Sequence, residues 1–386
     1  MPETLPRADW TTRQDLAELV SALGEGNARY VGGAVRDTLL GEAAKDIDIA
    51  TPLAPVEVIG RLDNAGIRSV PTGLKHGTVT AIRPGGNVEI TTLRRDVATD
   101  GRHAEVAFSR DWKEDASRRD FTINALYADP ATLEVFDYFG GIGDLEARRV
   151  RFIGDPLQRI REDHLRILRY FRFQARFGSH PADEQAENAC RELAPTLKGL
   201  SRERIGWELQ NLLALPDPAP TVARMAELGV LAVILPEADP DALAALIAEE
   251  QRQQVEPDPI RRLAALLPAD PAIAEQVAAR LRLSVEQRKR LATAARRAEG
   301  DPRALAYRLG RAEALDALLL AGRDVDSLDG WATPTLPLKG GAIVARGVKA
   351  GPEVARILQA VEAQWVAEGF PGEDRVAALL DAQLVE

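Results

Sequence analysis

The stretch 30–51 reads Y-V-G-G-A-V-R-D-T-L-L-G-E-A-A-K-D-I-D-I-A-T and indicates the fold class. An apolar strand end runs into Gly32 and Gly33, a short helical segment follows, and Asp46 and Asp48 lie on a second strand. A glycine pair brings backbone N–H groups close to an anion, and a helix N-terminus favours phosphate. Side chains two apart on a strand share a face, so Asp46 and Asp48 can bind the same divalent ions. Either half alone is more often a turn or a solvated strand end, but together they indicate nucleotidyl transfer.

Composition limits the class of protein. The 386 residues predict two to four compact units, and 45% hydrophobic residues are ample for their cores. A single cysteine, Cys190, excludes an internal disulfide framework and favours a reducing cytosol, and four histidines make structural zinc improbable. No apolar run approaches the roughly 20 residues that span a bilayer, and the N-terminus lacks an apolar signal core. We therefore expect a soluble cytoplasmic protein with no membrane partner.

The net charge of −10 argues at first against a nucleic-acid partner, because phosphate contacts need Lys and Arg. The arginines are clustered, however, and the segment 148–176 is a local cationic patch in an acidic chain. Its arginines are Arg148, Arg149, Arg151, Arg159, Arg161, Arg166, Arg169, Arg172 and Arg176. A further basic group at 288–297 is expected to contact RNA, with a solvated helix face as the equal alternative.

Periodicity divides the chain into two kinds of structure. Helices are expected at 11–23 and 55–65, and strands at 28–31, 76–82, 88–93 and 104–108, with a hairpin turn at Gly85-Gly86. The polar segment 94–117 predicts a mobile loop beside the site. After about residue 145 the strand signals largely vanish and helical spacing continues to the C-terminus. The fold class predicted is α+β, with a mixed sheet in about the first 140 residues.

Two further segments carry candidate site residues. Glu89 interrupts an apolar strand, and it is either a third carboxylate beside Asp46 and Asp48 or a solvent-facing residue. The segment 118–126 reads R-R-D-F-T-I-N-A-L, in which Arg119 could bind phosphate through its planar fork and Asp120 could accept a ribose hydroxyl. The alternative for this pair is a surface ion pair of little energetic value.

The segment 162–173, E-D-H-L-R-I-L-R-Y-F-R-F, is predicted to be one helix. Asp163 and Arg166 are three residues apart, so on that helix they would lie one turn apart. A carboxylate accepting from an exocyclic amine and a guanidinium donating to a ring atom are the chemistry of base reading. Arg169 and Arg172 are assigned to triphosphate or domain contacts. An ordinary ion-paired helix face is the alternative.

Six motifs taken in order carry a family resemblance. They are G-G-A-V-R-D (32–37), D-I-D-I-A-T (46–51), H-G-T-V (76–79), D-G-R-H-A-E-V-A-F (100–108), R-R-D-F-T-I-N-A-L (118–126) and E-D-H-L-R-I-L-R-Y-F-R-F (162–173). The set resembles the bacterial family of CCA-adding tRNA nucleotidyltransferases and related poly(A) polymerases. The resemblance implies a polymerase-beta-like catalytic head at 1–145, followed by a helical neck at 146–215, body at 216–330 and tail at 331–386.

The resemblance also implies roles for most of the candidate residues, whereas Gly32, Glu89 and Asp120 are candidates from the sequence patterns described above. Asp46 and Asp48 would bind Mg²⁺, with Glu89 as a third catalytic carboxylate. The nucleotide-binding set would be Gly32, Gly33, Arg36, Arg119, Asp120, Asp163, Arg166, Arg169 and Arg172, with Asp163 and Arg166 pairing with the base. The implied partners are tRNA, CTP and ATP, with no obligate protein partner.

Three other activities remain open. A poly(A) polymerase would share the same motifs, and partial enzymes would add only A or only CC. The retained segment 100–108 favours full CCA addition, since family members that add only CC lack the equivalent loop. A catalytically silent RNA-binding protein on the same scaffold is the alternative from another class, although the intact Asp46 and Asp48 argue against it.

Overall fold

The computed structural model describes residues 4–99 and 104–385. The chain forms two compact units, Met1–Pro236 and Glu237–Glu386. Each has its own helices, and the first unit alone carries the described strands. None of the described helices is both long enough and apolar enough to cross a membrane. The boundaries expected at 145, 215 and 330 remain predictions.

The first unit is built on a seven-stranded mixed sheet, which confirms the predicted α+β class. Strand order is β3-β4-β5-β2-β1-β8-β9, with β2 parallel to β5 and the other pairs antiparallel. A separate two-stranded ribbon joins β6 to β7. The strands are β1 (Arg29–Val31), β2 (Ile47–Thr51), β3 (Ser69–Gly73), β4 (Thr78–Ala81), β5 (Val88–Thr92), β6 (Arg94–Thr99), β7 (Ala104–Phe108), β8 (Leu126–Ala128) and β9 (Val135–Asp137).

Helices cover the rest of the first unit. They are α1 (Gln14–Leu23), α2 (Gly33–Leu39), α3 (Pro55–Asn64), α4 (Trp112–Ser117), α5 (Gly141–Glu146), α6 (Pro156–Glu162), α7 (Arg166–Phe177), α8 (Glu184–Leu193), α9 (Arg202–Leu213), α10 (Ala219–Glu227) and α11 (Val230–Ile234). The predicted helix at 11–23 is divided, because a 3-10 turn over Asp9–Thr12 precedes α1.

The mobile loop expected over 94–117 is wrong for its described residues. Arg94–Thr99 pairs with Ala104–Phe108 as an antiparallel ribbon, and α4 follows. Asp111 begins that helix by accepting the backbone N–H groups of Lys113 and Glu114. The strand predicted at 104–108 is confirmed, whereas its partner at 94–99 was not predicted, because a two-stranded ribbon need not show the apolar alternation of a core strand.

The single helix expected at 162–173 is also wrong. Helix α6 ends at Glu162, Asp163 is extended (φ −149°), and α7 begins at Arg166. The Asp163 carboxylate accepts the Leu165 N–H at 3.1 Å, so it stabilises the break instead of lying inside a helix. Asp163 and Arg166 therefore lie on either side of a turn.

An aromatic core fixes α7 beside the segment 118–126. Phe121 packs on Phe152 and Phe173 with ring centroids 4.9 and 5.1 Å away, and Tyr170 stacks on Phe152 at 5.8 Å. Phe121, Phe152 and Tyr170 are almost fully buried. Such rings supply large buried areas, so the arginines of α7 are held at defined positions relative to the strand-rich part.

The second unit is all helical in its described residues. Its helices are α12 (Pro240–Arg252), α13 (Pro259–Leu266), α14 (Pro271–Arg280), α15 (Val285–Ala295), α16 (Pro302–Leu309), α17 (Arg311–Leu320), α18 (Gly340–Ala345), α19 (Pro352–Ala367) and α20 (Glu373–Val385). Helices α12, α13, α14 and α16 each begin with an Asp-Pro pair, in which the carboxylate caps backbone N–H groups and proline occupies the first turn. Helix α20 lies within the segment 331–386, which was predicted to be helical.

The basic group at 288–297 is partly used inside this unit. Arg290 donates to the carboxylates of Asp258 and Asp316, and Arg297 donates to the Ala264 carbonyl at 2.7 Å. Arg290 and Arg297 therefore contact the protein itself, which weakens the expectation of an RNA surface built on all the basic residues of 288–297, namely Arg288, Lys289, Arg290, Arg296 and Arg297.

Candidate active site

One cleft of about 970 Å³ in the first unit gathers the candidate residues. It is lined by eleven of the twelve, the exception being Arg172. Seven residues that were not predicted as site residues also line it: Arg94, Arg118, Asn124, Leu165, Phe173, Arg204 and Trp207. Seven arginines and five carboxylates thus face one space, which suits a highly charged ligand.

One edge of the cleft is acidic. Asp48 on β2 lies directly opposite Glu89 on the parallel strand β5, and Asp46 precedes β2 by one residue. Burial, followed by the neighbouring Glu89 and Asp46 carboxylates, raises the pKa of Asp48 to about 6, while Arg119 opposes the rise. A bound cation would neutralise the excess negative charge at this edge.

These oxygen donors fit a divalent ion. Within the part of the chain that the structure describes, no three His, Cys, Asp or Glu side chains converge as a complete metal cage. Mg²⁺ does not need such a cage, because it is usually bound by one or two carboxylates together with water and substrate phosphates. Asp46 and Asp48 supply that pair, and Glu89 lies beside them.

The glycine turn lies between the acidic edge and Arg119. Gly32 has φ +71°, a left-handed value that favours glycine, and its N–H donates to the Leu126 carbonyl at 3.1 Å. A Cβ placed on Gly32 would lie 3.6 Å from Arg119 Nη1. The glycine turn therefore lies within van der Waals reach of the Arg119 guanidinium, and α2 starts at Gly33.

Arg119 is held on the cleft wall by a buried carboxylate. Its Nη2 donates to Asp115 at 3.2 Å and its Nε to the Tyr127 hydroxyl at 3.1 Å, while that hydroxyl donates to Asp115 at 2.7 Å. Arg118 also donates to Asp115 at 2.9 Å. Although burial opposes it, these two guanidinium groups keep the pKa of Asp115 below its ordinary value. Two cations are thus positioned at the cleft by one anion.

Arg36 lies deeper than a surface phosphate ligand. It is 5% exposed, and it donates to Asp37 at 2.6–2.8 Å and to Asn124 at 2.5 Å. Its guanidinium also lies over the Phe177 ring, 4.1 Å from the centroid. Burial lowers the pKa of Arg36. The protein already engages this side chain, and its phosphate role stays a prediction.

Asp120 has its acceptor positions filled. One oxygen accepts from the Phe121 N–H and from Asn124 Nδ2, and the other accepts from Arg169 Nε and Nη2 at 2.8 and 2.5 Å. Although burial raises it, the Arg169 charge and these hydrogen bonds hold the pKa of Asp120 at about 2. A carboxylate offers about four lone-pair positions, so a ribose hydroxyl would have to displace a donor. The geometry favours Asp120 as the residue that orients Arg169.

Asp163 and Arg166 reach the cleft from the two sides of the helix break. Asp163 Oδ2 accepts from Arg204 at 2.7 Å. Arg166 Nη1 donates to Glu162 at 2.6 Å and to the Arg159 carbonyl at 2.7 Å. The prediction that the two lie one helical turn apart is wrong, but both side chains line the same space.

Helix α9 contributes residues that sequence reasoning missed. Arg204 and Trp207 line the cleft, and Trp207 is 57% exposed. The buried Glu208 accepts from Arg172 Nε at 2.7 Å, which places Arg172 behind the cleft wall. A tryptophan on the otherwise polar face of an amphipathic helix was the available signal, and the apolar face of α9 drew attention away from it.

Two segments of the chain match known protein families. Residues 28–151 match the family described as Poly A polymerase head domain, and residues 182–241 match the probable RNA and SrmB-binding site of polymerase A. The chain is 36% identical to CCA tRNA nucleotidyltransferase 1, mitochondrial, of Mus musculus over 370 residues, covering 89% of this chain and 83% of the relative. It is 40% identical to the CCA-adding enzyme of Streptococcus gordonii over 216 residues, covering 55% and 52%.

Solved structures share the fold. The crystal structure of Bacillus stearothermophilus CCA-adding enzyme in complex with CTP matches with a TM-score of 0.72 and 26% identity, covering 96% of this chain and 98% of that one. The Thermotoga maritima CCA-adding enzyme complexed with tRNA matches with a TM-score of 0.70 and 22% identity, covering 96% and 95%. The long matches to mitochondrial enzymes leave the expected bacterial subgroup unconfirmed.

Proposed function

The chain belongs to the family of CCA-adding tRNA nucleotidyltransferases and poly(A) polymerases, and we propose that its cleft adds C, C and A to the tRNA 3′ end. CTP and ATP are the nucleotide donors, and pyrophosphate is released at each step. The observation that carries this assignment is the shared cleft, which joins the carboxylates Asp46 and Asp48 to the hydrogen-bonding groups of Asp163 and Arg166. Asp46 and Asp48 supply the groups for nucleotidyl transfer, and Asp163 and Arg166 select the nucleotide.

The chemistry at the acidic edge rests on divalent ions, which enzymes of this family use. We assign Mg²⁺ to Asp46 and Asp48, and Glu89 is placed to add a carboxylate or to hold a metal-bound water. Bound at this edge, Mg²⁺ supplies a lower pKa for the attacking 3′-hydroxyl and neutralises charge on the departing pyrophosphate. The 3′-hydroxyl gives up its proton to solvent water, and its oxygen forms a bond to the α-phosphorus as the bond to the bridging oxygen of pyrophosphate breaks.

The arginines orient the triphosphate. Arg119 is immobilised over the glycine turn by Asp115 and Tyr127, so its fork loses little freedom when it binds phosphate oxygens. Arg169 is held by Asp120 in the same way. A fixed guanidinium loses less conformational entropy on binding than a free one, and this favours in-line placement of the α-phosphate.

Base choice is assigned to Asp163 and Arg166. In the structure both are bound to protein groups, Asp163 to Arg204 and Arg166 to Glu162. An incoming base that offers an amine donor to Asp163 and an acceptor to Arg166 replaces those contacts, whereas a base with the wrong edge leaves a charged group unpaired. Cytosine and adenine both carry an exocyclic amine, which is the shared feature that Asp163 would read.

The direct test uses purified protein, Mg²⁺ and tRNA ending at the discriminator base. Labelled CTP and ATP should be incorporated as C, C and A, and growth should then stop. A generic RNA given ATP alone separates the poly(A) alternative, because a long unbounded tail would support that activity. Addition that stops after CC, or that occurs only on tRNA already ending in CC, would identify a partial enzyme. Absence of transfer with intact tRNA binding would favour the silent RNA-binding alternative.

Two finer points belong to the proposal. A cytoplasmic location rests on the single buried cysteine, Cys190, whose environment needs no oxidising compartment. The mitochondrial relatives make a mitochondrial location the alternative, and cell fractionation distinguishes the two. Membership of the bacterial subgroup rests on the motifs at 32–51 and 162–173.

A further inference from the structure

Helix α9 presents an exposed aromatic ring at the rim of the cleft. Trp207 and Arg204 are three residues apart, so they lie on the same side of the helix. Arg204 binds Asp163 at 2.7 Å, which places this side of α9 at the end of the cleft where base reading is proposed. Trp207 is 57% exposed, and no other tryptophan is among the exposed large apolar residues of the described chain.

The ring is supported from α7. The Arg172 guanidinium carbon lies 5.7 Å from the Trp207 ring centroid and 4.8 Å from that of Phe173. Arg172 is itself anchored on Glu208, which is 1% exposed, through the 2.7 Å hydrogen bond from Nε. A cation within about 6 Å of a ring is attracted to it, so a buried carboxylate, an arginine and an indole form an ordered series that ends at the cleft.

We propose that Trp207 stacks on the 3′-terminal base of the RNA primer, and that Arg172 is a positioning residue acting through the ring. This inference rests on the proposed function. The terminal base is not the same at every step: it is the discriminator base at the first addition and C at the second and third. Aromatic stacking tolerates such changes because every base has a π-face, whereas hydrogen-bond readout does not. A primer site therefore calls for a ring, and a nucleotide-selecting site calls for polar groups.

The incoming base has a different apolar neighbour. Leu165, 6% exposed, lies between Asp163 and Arg166 in the chain and lines the cleft beside them. It provides a small apolar surface for the base that those two residues read. Trp207 is more than half exposed, so its ring is accessible to a base that enters from solvent at the end of a larger RNA.

Steady-state kinetics of Trp207→Ala test the assignment. We expect the KM for tRNA to rise about 5- to 150-fold, the range for loss of one base–aromatic stack. The factor should be similar for tRNA ending at the discriminator base, at C and at CC, while the KM values for CTP and ATP stay within about twofold. Trp207→Phe keeps a ring and should stay close to wild type. Val56→Ala, exposed on α3 outside the cleft, is the matched surface control.

Fluorescence tests binding without catalysis. Adding tRNA that lacks CCA, without nucleotide, should quench tryptophan emission, and the quench should be largely absent in Trp207→Phe. CTP alone should leave the emission nearly unchanged. Arg172→Lys keeps a cation beside the ring and should retain most of the quench, whereas Arg172→Met should lose more of the quench and raise the KM for tRNA about two- to fivefold. A change confined to kcat in Arg172→Met would overturn the positioning role.

The remaining outcomes are distinguishable. A raised KM for CTP or ATP with the KM for tRNA unchanged would mean that the ring contacts the incoming base, which overturns the proposal. Unchanged kinetics and quenching in Trp207→Ala would mean that no stack forms. If the wild-type protein transfers no nucleotide but tRNA still quenches Trp207, the proposed function fails while the primer contact stands.

Discussion

Both units contain clusters of charged side chains, but the two clusters are completed differently. In the second unit, Glu250 accepts from Arg261 and Arg262 at 2.5 and 2.8 Å, and Asp316 accepts from Arg261 and Arg290 at 3.0 and 2.7 Å. Both carboxylates are at most 1% exposed. In the cleft of the first unit, by contrast, Asp46, Asp48 and Glu89 lie together, and Arg119 acts on Asp48 through its charge without a hydrogen bond to it. We call Glu250, Asp316 and their arginine partners the closed cluster, and we call Asp46, Asp48 and Glu89 the open cluster.

The difference separates charge used for folding from charge used for binding. A buried carboxylate that protein cations neutralise has no capacity for a ligand, and removing one member leaves a buried charge alone. The open cluster keeps like charges together, which raises the pKa of Asp48 to about 6, first through burial and then through Glu89. Such an arrangement is unfavourable for the isolated protein and becomes favourable when a cation binds.

The largest expected effect is the loss of transfer in Asp48→Ala. Removing one carboxylate of the open cluster should lower kcat/KM by about 1000-fold or more, since metal-assisted transfer depends on several kcal/mol of charge stabilisation. Affinity for tRNA should stay nearly unchanged, because the Asp48 carboxylate does not attract RNA phosphates. Labelled CMP incorporation and a filter-binding assay measure the two quantities. Asp63→Ala, exposed on α3, is the control, and surviving activity in Asp48→Ala would refute the metal assignment.

The fold was predictable where periodicity and turn chemistry agreed. Gly32 and Gly85-Gly86 mark turns through local backbone preferences, and the structure confirms both turns. The break at Asp163 was missed because the apolar spacing of 165–173 continues a helical pattern back to Glu162. An Asx contact to Leu165 competes with the helix there, and its strength depends on the partner that Asp163 finds in α9.

The second expected effect is a loss of stability in Asp316→Ala. This change leaves Arg261 and Arg290 without a shared buried carboxylate, and breaking such a cluster costs about 3–5 kcal/mol of unfolding free energy. Denaturant titration followed by hydrogen exchange in α13 and α17 should show the loss in the second unit. Activity per folded molecule at low temperature should be retained.

The control for that change is Asp324→Ala, since Asp324 is 71% exposed and pairs only with Arg252 among the described residues. It should leave the unfolding midpoint nearly unchanged. If Asp316→Ala destabilised the protein no more than Asp324→Ala does, burial would not distinguish charge used for folding from charge used for binding.

The site was predictable in part. Motif order located eleven cleft residues, because they lie in short segments whose chemistry is recognisable locally. Arg204 and Trp207 were not found, since nothing in α9 itself reveals that its polar face meets Asp163 and Arg172. Long-range partners also changed the interpretation of Asp120, whose acceptors Arg169 fills from 49 residues away. Spacing identifies candidate groups, but only the packing shows whether their hydrogen-bonding capacity is already used.

The third expected effect concerns nucleotide choice in Asp163→Ala. Loss of one paired polar group costs about 1–3 kcal/mol, so kcat/KM for CTP and ATP should fall about 5- to 150-fold. The values for UTP and GTP should fall much less, because uracil and guanine carry a carbonyl oxygen at the ring position where cytosine and adenine carry the amine that Asp163 reads. Single-nucleotide incorporation with each of the four triphosphates gives the ratios. Equal losses for all four would count against base reading, and Arg161→Ala, 58% exposed at its side chain, serves as control.

The smallest expected effect is the most direct test of the comparison, because it uses ion pairs of equal length. Arg204 lies 2.7 Å from Asp163 in the cleft, and Arg290 lies 2.7 Å from Asp316 in the closed cluster. The side chains of the first pair are 41% and 32% exposed, whereas those of the second are 22% and 0% exposed. Arg204→Ala should therefore cost under about 1 kcal/mol of stability, and Arg290→Ala about 3 kcal/mol or more.

Activity gives a second reading of the same pair. Arg204→Ala frees Asp163 for an incoming base, so kcat/KM for CTP should change by no more than about fivefold, as expected for an exposed pair. The double variant with Asp163→Ala measures the coupling between the two residues, and a coupling under about 1 kcal/mol is expected. A coupling as large as the cost of breaking the closed cluster would mean that Asp163 is committed to the protein and does not read the base. A small coupling means that a substrate can replace the Arg204 contact, unlike the contacts of the closed cluster.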